Sequence, residues 1–223
     1  MTKVTKPAID APGGSLPLFY ARSDDFPNPS VVLVHEWWGM NGNIQDIALR
    51  LAQETFYTVV VPDLWRGEHA EEPDQARKIR MQQDLEVRSA DIRSVVGWLE
   101  QQRAPTIGVM GFCMGGGLTW RIAQEDERLN AAVPFYGKVD IESGKPIHCP
   151  VVAHYGGADP STPPEHVDRV RAYLAAQPYA HQVYVYEGAG HAFFNDTGDT
   201  YDPEAAELAW QRTLDFFKNE LGE

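Results

Sequence analysis

The sequence predicts an α/β fold, a mostly parallel sheet with helices on both faces. Three observations carry this expectation. Short runs of apolar, largely β-branched residues recur along the chain, as in strands buried on both faces. Amphipathic segments of helical period lie between them. The two kinds alternate at least five times, and parallel strands require crossovers, which are usually helices.

The first buried strand is Val31-Val32-Leu33-Val34. An Asn41-Gly42-Asn43 turn then opens a helix, with Ile44, Ile47, Ala48, Leu51 and Ala52 on one face. Tyr57 to Val61 is the second strand, closed by Pro62. Gly67 to Pro73 is polar and loop-like, and a long helical pattern follows, presenting Leu85, Ile92, Val95, Val96 and Leu99. Thr106 to Met110 is a strand, and the segment Gly111-Phe112-Cys113-Met114-Gly115 turns into a helix reaching about Glu125. Strands are expected at Ala131 to Tyr136, Val151 to Tyr155 and Gln182 to Tyr186. Pro163-Pro164 opens one helix, since proline is tolerated in a first turn, and Glu204 to Leu221 forms the last. There is no internal repeat, low-complexity tract or linker-like shift in composition, so residues 1–223 are expected to form one domain.

Composition excludes several classes. A net charge of −13 disfavours nucleic-acid binding, which needs a basic surface, and docking on anionic lipid. The N-terminal segment lacks the apolar core of a secretory signal, and no run approaches the 18 apolar residues of a membrane helix. The two cysteines, Cys113 and Cys149, form no CxxC or zinc-type pattern. Reduced thiols in the cytoplasm are the expectation, with no metal and no organic cofactor.

In sheets of this kind, ligands sit beyond the carboxyl ends of the strands. Gly111-Phe112-Cys113-Met114-Gly115 lies there, with the glycine–x–nucleophile–x–glycine spacing of a strand-to-helix elbow. Flanking glycines remove the Cβ atoms that would collide in so tight a turn. The turn also sets Cys113 at a helix N-terminus, where the dipole favours a thiolate. A thiol nucleophile needs a base, and the base needs an orienting group. Asp159, in Tyr155-Gly156-Gly157-Ala158-Asp159, and His191, in Glu187-Gly188-Ala189-Gly190-His191, each follow a strand end. They occur in the order nucleophile, acid, histidine.

These segments, with His35-Glu36-Trp37-Trp38-Gly39, Pro62-Asp63-Leu64 and Gly190-His191-Ala192-Phe193, resemble the dienelactone hydrolase family of α/β-hydrolases across nearly the whole chain. A cysteine elbow combined with a glutamate after the first buried strand is specific to that resemblance. It implies a Cys113, Asp159, His191 triad, and a Glu36 that holds the resting thiol and accepts its proton. It also implies an oxyanion hole made by the backbone N–H groups of Trp37 and Met114. One departure stands out. Four residues beyond the histidine, where the namesake enzymes carry an arginine for the substrate carboxylate, this chain has Asn195. A second family arginine, early in the long helix, maps to Arg77 or Arg80. Trp37, Trp38 and Trp65 lie at strand ends near the expected pocket, and Trp38 is a candidate substrate contact. The short Gly137 to Pro150 segment leaves no room for a lid domain.

The implied activity is hydrolysis of a small ester or lactone through a thioester. A noncatalytic binding module and a thiol redox sensor remain as alternatives on the same fold. His148, Cys149 and His154 are expected to be structural, His154 as a hydrogen-bonded core histidine, and the oligomeric state is left open.

Overall fold

The computed structural model describes residues 2–22 and 27–222. Among these residues, nine strands and six helices follow one another as β1 (Lys3–Thr5), β2 (Ala8–Ala11), β3 (Gly14–Arg22), β4 (Ser30–Val34), α1 (Gly42–Thr55), β5 (Thr58–Pro62), α2 (Pro73–Gln82), α3 (Leu85–Gln101), β6 (Ile107–Phe112), α4 (Met114–Glu125), β7 (Ala131–Phe135), β8 (Val152–Gly156), α5 (Pro164–Ala175), β9 (Gln182–Tyr186) and α6 (Pro203–Leu221).

The strands form one sheet in the order β1-β3-β5-β4-β6-β7-β8-β9, with β2 also paired to β3. From β5 to β9 every pairing is parallel. β3 runs antiparallel to β5, and β1 and β2 run antiparallel to β3. This is the α/β-hydrolase architecture expected from the sequence, with an antiparallel edge that the sequence reading did not place. Pro17 falls inside β3, opposite Ala8 of β2, and interrupts the pattern by which a strand is recognised.

β4 shows why these runs become central strands. All five of its residues are buried, and they alternate between two cores. Val32 and Val34 join side chains from α2, α3, α4 and α5 in one layer. Val31 and Leu33 join α1 and α6 in the other. Burying one such side chain contributes roughly 1.5–3 kcal/mol. Helices start where side chains satisfy orphan amides. Asn41 Oδ1 accepts from the Ile44 N–H at 3.2 Å, and Asp202 Oδ1 from the Ala205 N–H at 3.0 Å.

The long helical pattern proves to be two helices. Gln83 is extended, with φ −123° and ψ 132°, which ends α2. Asp84 then caps α3, accepting from the Glu86 N–H at 3.2 Å. Between β7 and β8 the described chain forms no helix or strand.

Candidate active site

The elbow is built by close backbone packing. Cys113 sits between β6 and α4 at φ 52° and ψ −110°, a conformation costly for a side-chain-bearing residue. Its N–H donates to the Phe135 carbonyl at 3.0 Å, which ties the turn to β7. A Cβ on Gly115 would lie 2.2 Å from the Val34 carbonyl oxygen, and one on Gly111 would lie 2.4 Å from that of Gly115. Two neighbouring residues, Tyr136 directly after β7 and Ala192 directly after His191, also have positive φ, at 39° and 59°.

Three side chains from three strand ends meet there. His191 Nε2 lies 3.1 Å from Cys113 Sγ. His191 Nδ1 donates to Asp159 Oδ2 at 2.7 Å, which sets the tautomer. Asp159 is buried and further held by the Thr162 hydroxyl at 3.0 Å and the Ser161 N–H at 2.7 Å. The Ser161 hydroxyl oxygen also lies 3.1 Å from His191 Nδ1.

The electrostatics follow from these contacts. Burial opposes charge on His191, but Asp159 and the neighbouring sulfur outweigh it and raise its pKa to about 10. Burial likewise opposes charge on Asp159, yet the hydrogen bonds from His191 and Ser161 hold its carboxyl well below the usual range. Glu36 is pushed up by burial, partly offset by hydrogen bonds from Asn195 and Tyr136. Those bonds measure 2.9 Å from Asn195 Nδ2 to Oε2 and 3.3 Å from the Tyr136 hydroxyl to Oε1.

Met114 is the first residue of α4, where an amide has no intrahelical acceptor. The loop carrying Trp37 is pinned by its own carbonyl, which accepts from Trp65 Nε1 at 3.1 Å. Both residues line a cavity of about 980 Å³ that also contains Cys113, His191 and Glu36. The arrangement can attack an acyl carbon with sulfur, offer backbone N–H groups to the developing oxyanion, and shuttle a proton through His191.

Comparison with known proteins bears on which chemistry this is. The sequence profile of the dienelactone hydrolase family matches residues 16–221. The chain belongs to the dienelactone hydrolase family. It is 32% identical over 231 residues to a provisionally named carboxymethylenebutenolidase of Escherichia coli (strain K12), covering 95% of this chain and 85% of that one. Protein usf of Aquifex pyrophilus is 32% identical over 218 residues, covering 91% and 93%. Among solved structures, that of a provisionally named dienelactone hydrolase from Klebsiella pneumoniae superposes with a TM-score of 0.86 at 29% identity, covering 97% and 98%. As a member of this family the chain is a carboxylic ester hydrolase acting on a small-molecule ester.

Within this dienelactone hydrolase fold, the residues singled out from sequence divide clearly. Cys113, Asp159, His191, Glu36, Trp37 and Met114 converge, and Trp38 and Arg80 line the same cavity. Arg77 does not. Its side chain is 63% exposed and pairs with Asp74 at 2.6 Å, because it points off the solvent face of α2. Trp65 is also displaced from the expected pocket, since it is buried in the core. His154 is the hydrogen-bonded core histidine expected, held by Tyr186 and Thr213, with burial lowering its pKa to about 3.

The sequence reading missed Tyr136, Ser161 and Arg88. Arg88 is only 6% exposed and lines the cavity, yet it pairs with no carboxylate among the described residues. Its guanidinium contacts Met114 Sδ at 3.3 Å and lies 5.7 Å from the Trp65 ring centre. A signal for it existed. Arg88 is four residues before Ile92, a polar residue on the apolar face of its helix.

Proposed function

We propose that this hydrolase opens small esters or lactones by covalent catalysis at Cys113. The observation that carries the reading is the continuous chain from Cys113 Sγ through the His191 ring to Asp159, at 3.1 and 2.7 Å. Sulfur attacks the acyl carbon, a C–S bond forms, and the carbonyl electrons move to an oxygen held by the N–H groups of Trp37 and Met114. As the intermediate collapses, the C–O bond breaks and His191 protonates the departing alkoxide. Now neutral, His191 takes a proton from water, whose oxygen attacks the thioester. The C–S bond breaks, carboxylic acid leaves, and the sulfur returns to its pairing with the imidazolium. One water is consumed per ester. Asp159 holds the ring in one tautomer throughout.

Arg88 and Arg80 extend the reading to an anionic substituent on the substrate. A buried guanidinium without a countercharge is costly, and a bound anion offsets that cost. Arg80 lines the same wall, and no ion pair engages it among the described residues. The family profile, covering residues 16–221, supports one domain for the whole chain. The free thiols of Cys113 and Cys149 support a cytoplasmic location. Cys149 is buried and its thiol is pushed up to about 12, so it lends nothing to a redox-sensing reading.

A screen of lactones and small esters, wild type beside Cys113→Ala, tests the proposal. Loss of about 10³-fold or more in kcat is expected, together with a mass increase on wild-type Cys113 when a slow ester is trapped by acid quench. Full activity in Cys113→Ala would rule out the thioester route.

A further inference from the structure

Glu36 stands where the family resemblance puts the thiol's proton acceptor, yet its carboxylate is engaged elsewhere. Oε1 accepts from Tyr136 and Oε2 from Asn195. All three residues are buried. Asn195 is itself fixed, because its Oδ1 accepts from the Thr197 N–H at 3.0 Å and hydroxyl at 2.7 Å. The thiol's hydrogen bond runs to His191 instead, and none joins it to Glu36 among the described residues.

The backbone at Glu36 is equally tied down. Its carbonyl accepts from His35 Nδ1 at 2.6 Å and from the Gly39 N–H at 3.2 Å. The next residue, Trp37, carries one of the two candidate oxyanion donors. Tyr136 follows the end of β7, and its ring packs edge-on against His191 at 5.1 Å. Asn195 lies four residues beyond His191 and is bound through its N–H to the Ala192 carbonyl.

From this geometry we infer that Glu36 is a positioning residue and not the base for Cys113: with Tyr136 and Asn195 it clamps the Trp37 loop to the two segments that flank His191. The inference rests on Cys113 being the nucleophile. It assigns Tyr136 and Asn195 to the same clamp. Where the family resemblance places a cationic arginine, this chain supplies a neutral donor of fixed geometry.

Glu36→Gln separates the two roles. Glutamine keeps the reach, accepts from Asn195 through its oxygen and donates to the Tyr136 hydroxyl oxygen through its amide nitrogen, but it has no basicity. The acylation burst with p-nitrophenyl acetate is expected to slow by less than about 10-fold in Glu36→Gln, whereas loss of a general base costs about 10²- to 10⁴-fold. Glu36→Ala and Asn195→Ala are each expected to lower kcat by more than Glu36→Gln does, with KM little changed. Their double variant is expected to lose much less than the product of the single effects, because one clamp is broken either way. Alkylation of the free enzyme by iodoacetamide is expected to drop in His191→Ala and hold within about 3-fold in Glu36→Gln. An acylation loss of 10²-fold or more in Glu36→Gln, or multiplicative effects of Glu36→Ala and Asn195→Ala, overturns the clamp. Should Glu36→Ala not fold, Asn195→Ala and Tyr136→Phe take its place in the cycle. Absence of any wild-type burst would instead count against the covalent reading, while iodoacetamide continues to report on the thiol.

Discussion

The His191 imidazole sits between the Asp159 carboxylate and the Cys113 sulfur, and this makes its charge a stability term. Its pKa is raised from an ordinary 6.5 to about 10 in the folded protein. A raised value means that the folded state binds the proton more tightly than the unfolded chain does. The resulting stabilisation is complete below pH 6.5 and is lost as pH climbs through about 10. Thermal unfolding of wild type and His191→Gln across this range should therefore show a stability difference that is largest at low pH and shrinks toward pH 10. A difference independent of pH would mean that His191 is not held charged. The residues of the proposed triad were legible in the sequence for a structural reason: each lies in the turn or loop after a strand and is set off by glycines. Tyr136 also follows a strand end, but tyrosine is so common a core residue that position alone does not mark it.

Among the elements, the β6–α4 elbow is the least forgiving. Its turn works only because β4, β6 and α4 approach backbone to backbone. Gly115→Ala would force a methyl to within 2.2 Å of the Val34 carbonyl, and rigid strands cannot yield that far. Overpacking of this kind costs roughly 1–3 kcal/mol, occasionally more. The expected outcome is a lower midpoint in urea and a loss of hydrolysis larger than the stability loss explains, because Cys113 would be displaced. Gly42, exposed at the start of α1 with nothing within 4 Å of its Cβ position and no positive φ, is the control for crowding. The central strands and their helices were readable from period and burial, since each lies in a single environment. The antiparallel edge was not, because β1 and β2 are short and largely exposed and carry no apolar period. The break between α2 and α3 was also hidden. It depends on two extended residues, Gln83 and the capping Asp84, inside an otherwise continuous helical pattern. That break matters for the site, because it sets Arg80 and Arg88 on the cavity wall and leaves Arg77 in solvent.

At the scale of the whole molecule, charge is distributed unevenly. The chain carries a net charge of −13, yet the cavity wall holds Arg80 and Arg88 without carboxylate partners among the described residues. Arg88→Gln should raise KM for an ester bearing a free carboxylate by about 10-fold or more and leave KM for its neutral methyl ester nearly unchanged, since one charge-assisted hydrogen bond contributes roughly 1.5–3 kcal/mol. Equal effects on both esters would count against anion recognition. For an ester that carries a negative charge, the same asymmetry sets how it arrives. An anion approaching from bulk solvent first meets the field of an acidic protein and is slowed; only within a few ångströms does the buried guanidinium dominate. At physiological ionic strength the Debye length is about 8 Å, so added salt erases the outer repulsion while sparing much of the inner attraction. Capture of a charged ester by this enzyme should thus quicken as salt rises, the reverse of the behaviour of enzymes whose surfaces steer their substrates inward.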